Sequence, residues 1–381
     1  MQTAWVTSTA TARAALIDIT RQGLEIRALF DAATEILQPA LGSWAYCWET
    51  LDPVTLLPTS GLTHNLPPES APAYFENEYG HEDFNKFEDL FASRMAARTL
   101  FDATAGQPQR SRRYCELYLP NGLGPELRAV LADGQDCWGA VSFLRKATAD
   151  EFPSHATALV AQVAGHLGWA IRRTLLLNAG ARSVDDSPGV VVVDRAGRIV
   201  STTMAADRWL DLLEDRRHSA GRDRLPVAVE AVLAQLARGT DAPSPRARVQ
   251  ASDGTWLVVH GAELHGGDAG QRVVVIEKVA PRELASVIVR AYGLSSRERQ
   301  VAELVLRGQA TKQVARALEL SPHTVTDYLR SLFDKVGVRS RRELAARLLV
   351  DHHLPRMFGG AEIGPDGWFL DEPRSQAEHR H

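Results

Sequence analysis

The chain has 381 residues, of which 45% are hydrophobic and 24% are charged, with a formal net charge of −4. This length suits two or three domains that each bury a core, and the composition excludes a fibrous or disordered chain. The first residues lack the basic and apolar stretches of a secretory signal, and no segment reaches the roughly 18 uncharged apolar residues that a membrane span needs. We therefore expect a cytoplasmic protein with no membrane partner.

The spacing of the cysteines and the distribution of charge limit the classes of function that the sequence allows. Cys47, Cys115 and Cys137 are far apart and form none of the close pairs of structural zinc sites, so buried or incidental thiols are favoured over redox or metal sensing. Residues 282–348 hold 13 Lys and Arg against 7 Asp and Glu, a net charge of +6 that leaves −10 on the rest of the chain. A basic segment on an acidic body is typical of a local nucleic-acid-binding surface.

The first block, residues 10–180, is predicted to run from a helix through strands and a hairpin to a long helix. A strand is predicted at 44–48, where aromatic residues alternate, and a hairpin at 129–131 and 138–144, two apolar runs separated by a turn-forming sequence. Apolar residues at helical spacing predict a helix over 154–178. This order of elements resembles a GAF domain, a ligand-sensing α+β fold.

The second block, residues 184–280, alternates β-branched runs with short helical stretches. The elements predicted in chain order are strands at 190–193 and 199–200, helices at 204–210 and 227–236, and strands at 255–260 and 271–278. The order resembles a PAS domain, although this chain has Thr203 and Met204 where many such domains carry a capping asparagine. A purely structural linker domain is the alternative.

Five aromatic residues of the first block are candidates for lining a small-molecule pocket, since ligand cavities are mostly apolar. They are Trp44, Tyr46, Trp48, Tyr118 and Trp138. Core packing is the alternative for each of them, because alternate residues of a strand face inwards whether or not a ligand binds.

Helix-start and helix-stop signals are dense after Leu294. Ser295 and Glu298 form an S-x-x-E capping box that predicts a helix start, and Gly308 is placed to end that helix. Thr311 is predicted to cap a second helix that runs through Leu318. Only a short turn separates the two helices.

A third and a fourth helix follow in the same segment. Ser321 supplies an N-cap and Pro322 a first-turn proline, while Gly337 ends the third helix. Its inward stripe at helical spacing is Val325, Leu329, Leu332, Phe333 and Val336. Ser340 and Glu343 form a second capping box that opens the fourth helix.

Residues 294–348 resemble the four-helix domain of LuxR-type regulators, in which the third helix enters the major groove of DNA. The positions that carry the resemblance are Glu298, Gly308, Thr311, Lys312, Val314, Ala315, Ser321, Pro322, Thr324, Val325, Lys335, Gly337, Val338, Glu343 and Leu344. The match covers about one-seventh of the chain. It implies an all-α DNA-binding domain, which we place at 288–350.

The resemblance also implies roles for individual residues. The base-facing positions would be Thr326, Asp327 and Arg330, and the phosphate contacts would be Lys312, His323, Thr324 and Arg341. Tyr328 and Lys335 are further DNA-contact candidates. A carboxylate at Asp327 is unexpected, since it repels the DNA backbone, but it can accept from the amino group of cytosine.

The sequence thus predicts a multidomain α+β protein: GAF-like and PAS-like α/β sensor domains, an all-α LuxR-type helix-turn-helix domain, and a flexible tail at 355–381. We expect a homodimeric, sequence-specific transcription regulator that binds double-stranded DNA under sensor control. A small-molecule ligand of the sensor domains and RNA polymerase are further candidate partners.

No cofactor, metal site or catalytic residue is predicted, so an enzyme is not expected. The sequence has no P-loop, no G-x-S-x-G and no H-E-x-x-H, and His81, Glu82 and Asp83 are interpreted as a solvated helix start. One alternative, favoured by Asp327, is a sensory protein-interaction module without specific DNA binding. Others are an enzyme fused to a DNA-binding end and a response regulator, although the first block lacks a receiver's early acidic pair.

Overall fold

A computed structural model describes residues 2–177, 187–213, 225–238, 244–264, 270–279, 292–306 and 308–348. The chain divides into two compact units, Met1–Lys278 and Val279–His381, which are described separately. Its class is mixed α and β, with two antiparallel sheets in the described residues, as the sequence predicted. The predicted tail at 355–381 lies outside the described residues.

The first sheet of the N-terminal unit has the strand order β2-β1-β5-β4-β3, with antiparallel neighbours. Its strands are β1 Ala45–Leu51, β2 Pro58–His64, β3 Ala97–Thr99, β4 Leu123–Asp133 and β5 Asp136–Lys146. The predicted hairpin is confirmed as β4 and β5, which are longer than the apolar runs alone indicated. Gly134 takes a φ of 67° in the turn, a conformation that glycine adopts without strain.

Helices cover one face of this sheet and surround its edges. Those described are α1 Gln2–Arg21, α2 Ile26–Leu41, α3 Ala71–Phe75, α4 Phe87–Ala92, α5 Leu100–Ala103 and α6 Ser154–Leu177. The last confirms the predicted long helix and packs along β4 and β5. The approach is close because Gly168 has no side chain: a Cβ there would lie 2.5 Å from the carbonyl oxygen of Leu131.

The second sheet has the order β7-β6-β10-β9-β8 and is also antiparallel. Its strands are β6 Gly189–Val193, β7 Ile199–Thr202, β8 Arg246–Gln250, β9 Trp256–Glu263 and β10 Arg272–Lys278, and its helices are α7 Met204–Leu212 and α8 Val227–Leu236. Thr203 caps α7, since its hydroxyl accepts from the Ala206 amide at 3.3 Å. All six predicted elements are confirmed, whereas β8 was not predicted.

The core of the second sheet includes residues from the first block. Leu57 and Phe75 are buried in the same hydrophobic cluster as Val191 and Trp209. The carboxylate of Asp52, which is itself buried, accepts from both the amide and the guanidinium of Arg248 at 2.9 Å. Burial of these groups explains why residues 1–278 form one compact unit.

The C-terminal unit contains four short helices in its described part: α9 Ser296–Leu306, α10 Thr311–Ala317, α11 Pro322–Val336 and α12 Arg341–Leu348. Its core includes Val301, Val314, Val325, Leu332 and Leu344. The four predicted helices are confirmed, with one correction: Ala310, not Thr311, is the N-cap of α10. The Ala310 amide donates to the Gln313 side chain at 2.7 Å, so Thr311 already lies within the first helical turn.

Candidate DNA-recognition surface and sensor cavity

Local sequence signals fix both ends of α11. The Ser321 hydroxyl accepts from the Thr324 amide at 3.0 Å, which satisfies one of the amides that a helix start leaves without an internal partner. At the other end Gly337 takes a φ of 72°, and its amide donates to the carbonyl of Phe333. Both features confirm the predicted start and stop of the helix.

The side chains of α11 divide into a buried and an exposed face. Val325, Leu329, Leu332 and Val336 are buried, and Phe333 is partly buried. Thr326, Asp327 and Arg330 are exposed. The exposed row is therefore the one that the resemblance placed opposite the bases.

A carboxylate from α9 holds α11 in place. Glu298 is nearly buried and accepts from Lys335 Nζ at 2.7 Å, from the Ser331 hydroxyl at 2.5 Å and from the Ser295 amide at 2.6 Å. Burial raises the pKa of Glu298, but these hydrogen bonds outweigh it and lower the pKa to about 2. Glu298 is thus ionised at neutral pH and joins two turns of α11 to the start of α9.

Three side chains on the exposed face of α11 lie close to one another. His323 Nδ1 lies 3.0 Å from a carboxylate oxygen of Asp327, and Arg330 lies 3.8 Å from the other. All three side chains are more than half exposed, so each pair contributes little to stability in water. Asp327 thus lies between the Arg330 guanidinium and the His323 ring on the exposed face of the helix.

The remaining DNA-contact candidates fall into two groups. Lys312 is exposed, and Thr324 and Tyr328 are half-buried. Lys335 and Arg341 bind within the domain: Lys335 contacts Glu298, and the Arg341 guanidinium donates to the carbonyl of Gln309. Their roles on DNA stay predictions.

The five aromatic candidates of the first block do not lie around one cavity. Trp48 is fully buried on the helix side of the sheet, where it stacks on Phe30 and donates to Thr34. Trp44 is half-exposed beneath the Lys146 ammonium, Tyr46 stacks on His64, and Trp138 is buried. Tyr118 is the member of the set that lines the cavity described next. In β1, Tyr46 and Trp48 alternate with Cys47 and Glu49, which do line the cavity.

A cavity of about 280 Å³ lies within the N-terminal unit. Its lining residues come from β1, β2, β5, α2, α3 and the start of α8, so both sheet-and-helix blocks contribute to it. Apart from Tyr118, the residues of this site were not predicted, because its walls come from segments as far apart along the chain as Ile26 and Glu230. Among the described residues, no cluster of three or more His, Cys, Asp and Glu side chains could hold a metal ion.

A network of buried ions lies beside Tyr118. Arg128 contacts Glu126 at 2.8 Å and Glu78 at 2.6 Å, and Arg113 contacts Glu126 at 3.0 Å. The Tyr118 hydroxyl donates to Glu126 at 2.6 Å. Burial raises the pKa values of Glu78 and Glu126, but the two guanidinium groups outweigh it and lower both. The network therefore consists of charged groups and ties β4 to the segments before and after α4.

The same network corrects one interpretation of the sequence. Asp83 is not part of a solvated helix start: its side chain is 1% exposed. It accepts from the Arg113 amide and from Asn77, both at 2.8 Å. Asp83 thus belongs to the interior of the unit, whereas Glu82 is exposed.

Comparison with known proteins identifies the C-terminal domain. Residues 293–348 match the family described as bacterial regulatory proteins, luxR family. The transcriptional regulatory protein UhpA of Escherichia coli is 47% identical over 55 residues, which are 14% of this chain and 28% of UhpA. The spore germination protein GerE of Bacillus subtilis is 36% identical over 56 residues, which are 15% of this chain and 76% of GerE.

The likeness is concentrated in this domain. The chain spans about a quarter of the length of UhpA, and the rest of that protein is not matched. The structure of SdiA from Escherichia coli aligns with 90% of this chain and 97% of its own, at 13% identity and a TM-score of 0.26, which is too low to indicate a common overall fold. No helix in the described residues is long and apolar enough to cross a membrane. Through its C-terminal helix-turn-helix domain, the chain belongs to the LuxR family of bacterial regulatory proteins.

Proposed function

We propose that this protein is a transcription regulator that binds specific DNA sequences, with α11 in the major groove. The observation that carries the proposal is the division of α11 into a buried stripe and an exposed row of Thr326, Asp327 and Arg330. A helix whose buried face packs against a small helical domain can insert its exposed face into the major groove, which is ~12 Å wide. The identity to UhpA over the same segment supports it.

Within this proposal the residues have distinct roles. Arg330 reads a base edge, because its planar fork matches the two acceptors of guanine. Asp327 selects for or against a base through the amino group of cytosine. The phosphate contacts are made by Lys312, His323 and Thr324, assisted by the amides at the start of α11. Lys335 and Arg341 act chiefly by holding the helices in position.

We further propose that the N-terminal unit is a sensor with GAF-like and PAS-like halves and that the protein works as a homodimer in the cytoplasm. Two copies of α11 that read half-sites about one helical turn apart would bind more tightly than one. A signal would act by binding one arrangement of the sensor better than another. RNA polymerase is the partner through which such a regulator would affect transcription.

The test is binding of the full chain to a selected pool of genomic DNA, measured by fluorescence anisotropy at several salt concentrations. We expect affinity to fall steeply with salt, because cationic side chains release counterions from DNA. Arg330→Ala should cost about 1–3 kcal/mol on the preferred site and relax the preference at one base pair. Lys312→Ala should weaken binding to all sequences alike.

Arg297→Ala is the matched control. Arg297 carries the same charge on the exposed side of α9 and bonds to Gln300, so its loss should leave the sequence preference intact. A folded protein that prefers no DNA sequence would refute the proposal. It would favour a sensory protein-interaction module instead.

A further inference from the structure

The cavity of the N-terminal unit has walls of mixed origin. Cys47 of β1 and Ser142 of β5 are paired neighbours in the sheet and line it together. Val227, the first residue of α8, lines it as well. Any occupant therefore touches the first sheet and the helix that covers the second sheet.

One polar group on the wall, the Ser142 hydroxyl, lacks a hydrogen-bond partner among the described residues. The residue is buried, with 1% of its surface exposed. Buried polar atoms in native proteins nearly always have a partner, and leaving one without a partner costs free energy. Ser142 lines a cavity of about 280 Å³, so an occupant of that cavity is a candidate for the missing hydrogen-bond partner.

The charge on the wall indicates the kind of molecule. Glu49 is 2% exposed, and the Cys47 thiol lies 3.8 Å from its carboxylate. Arg27 also lines the cavity, but its side chain is half-exposed and lies 3.8 Å from Asp31. A carboxyl group in the buried part of the wall favours an occupant that donates a hydrogen bond and disfavours an anion.

The rest of the lining is largely apolar. Phe30, Leu62, Phe75, Leu144 and Leu225 contribute hydrocarbon surface. Such a site buries an apolar body and orients it through a few polar atoms.

We propose that this cavity binds a small, mostly apolar molecule that carries an amino or other N–H group, which hydrogen-bonds to Ser142 and Glu49. The proposal rests on the proposed function, in which the N-terminal unit is a sensor. Because α8 shares the cavity, an occupant favours one arrangement of the two halves over others. Binding is thereby coupled to the conformation of the whole unit.

The experiment uses the full chain and three probes of similar size: 2-phenylethylamine, propylbenzene and phenylacetate. Saturation-transfer NMR titrations rank their affinities. We expect the amine to bind most tightly and the carboxylate to bind least. Ser142→Ala should lower the affinity for the amine about tenfold, which corresponds to the loss of roughly one hydrogen bond. Glu49→Gln should reduce the preference for the amine over propylbenzene.

A thermal melt separates a binding role from a structural one. Ser142→Ala should raise the melting temperature of the empty protein, because it removes a buried hydroxyl that lacks a partner. Ser111→Ala is the matched control: its hydroxyl is buried but bonded to Asp83 at 3.2 Å, so its loss should lower the melting temperature and leave the affinity for the amine unchanged.

Three results would overturn the proposal: no binding of the amine, equal binding of amine and carboxylate, or a Ser142→Ala variant with lowered melting temperature and unchanged affinity. DNA binding measured on the same preparations keeps the two proposals apart. Intact DNA binding with no amine binding refutes the cavity alone. Amine binding without DNA binding refutes the regulator alone.

Discussion

Glu298 shows how one side chain sets the position of α11, the helix that we propose reads DNA. It closes the capping box of α9 by accepting from the Ser295 amide, and it also accepts from Ser331 and Lys335 on α11. A side chain that caps α9 locally therefore also makes a contact across the domain, and its charged partner there is Lys335. Its loss would affect the stability of α9 and the position of α11 together.

Glu298→Gln should destabilise the C-terminal domain by about 1–2 kcal/mol, because charge-assisted hydrogen bonds become weaker neutral ones. Amide hydrogen exchange of residues 296–336, followed by mass spectrometry on the full chain, measures the effect. Asp334→Asn is the matched control, since Asp334 is exposed on the same helix. Equal protection of the wild type and Glu298→Gln would show that the contacts do not stabilise the domain.

The same side chain predicts a pH dependence. The pKa of Glu298 is lowered from 4.5 to about 2 in the folded protein, so its contribution to stability is complete above pH 4.5 and is lost as the pH falls towards 2. The difference in exchange protection between wild type and Glu298→Gln should therefore shrink between pH 5 and pH 3. A difference that stays constant over this range would contradict the assignment.

At the scale of elements, α6 depends on two glycines that lie one turn apart. A Cβ on Gly168 would lie 2.5 Å from the Leu131 carbonyl oxygen, whereas one on Gly165 would lie 3.4 Å from that of Ala132. The first contact is impossible without moving the helix, and the second is tight but tolerable. Helix and sheet are thus in direct backbone contact at one position.

Gly168→Ala should lower stability by about 1–3 kcal/mol, because α6 must shift away from β4. Gly165→Ala is the matched control, where better helix propensity offsets the tight contact and the change should be small. Differential scanning calorimetry of the full chain measures both. Equal melting temperatures for the two variants would mean that the sheet backbone can shift to accept the methyl group without loss of stability.

Sequence reasoning succeeded for elements that local signals define. Serine caps, first-turn proline and terminal glycine located α11 to the residue, because these interactions span at most a few positions. Sequence reasoning missed β8, because arginines alternate with Ala247 and Val249 and make the apolar pattern of the strand weak. It also missed the cavity and the partners of Arg128, since Glu78 lies 50 residues away along the chain. Such contacts depend on how strands are ordered in the sheet, which local patterns do not specify.

At the scale of the whole molecule, the two halves of the N-terminal unit are not independent. Leu57 and Phe75 complete the core of the second sheet, and Asp52 binds Arg248. The block expected at 184–280 thus draws on residues outside its own boundaries. If the unit is the sensor that we propose, a change in one half would affect the other through this shared interior.

A fragment of residues 187–279 should therefore fail to fold cooperatively. Without Leu57 and Phe75 its core loses about 5 kcal/mol or more, comparable with the total stability of a small domain. Thermal unfolding followed by circular dichroism should show no sharp transition for this fragment and a single one for residues 1–279. A cooperative transition in the shorter fragment would establish the second block as an autonomous domain.

The shared core also has a consequence during synthesis. Phe75 leaves the ribosome about 200 residues before Ile276, so at roughly 5–20 residues per second the last member of its hydrophobic cluster appears roughly 10–40 seconds later. During that interval the nascent chain exposes an apolar surface that folding cannot yet cover. Slow decoding of the second block would lengthen this exposure, so newly made chains would aggregate more readily than denatured full-length chains that refold.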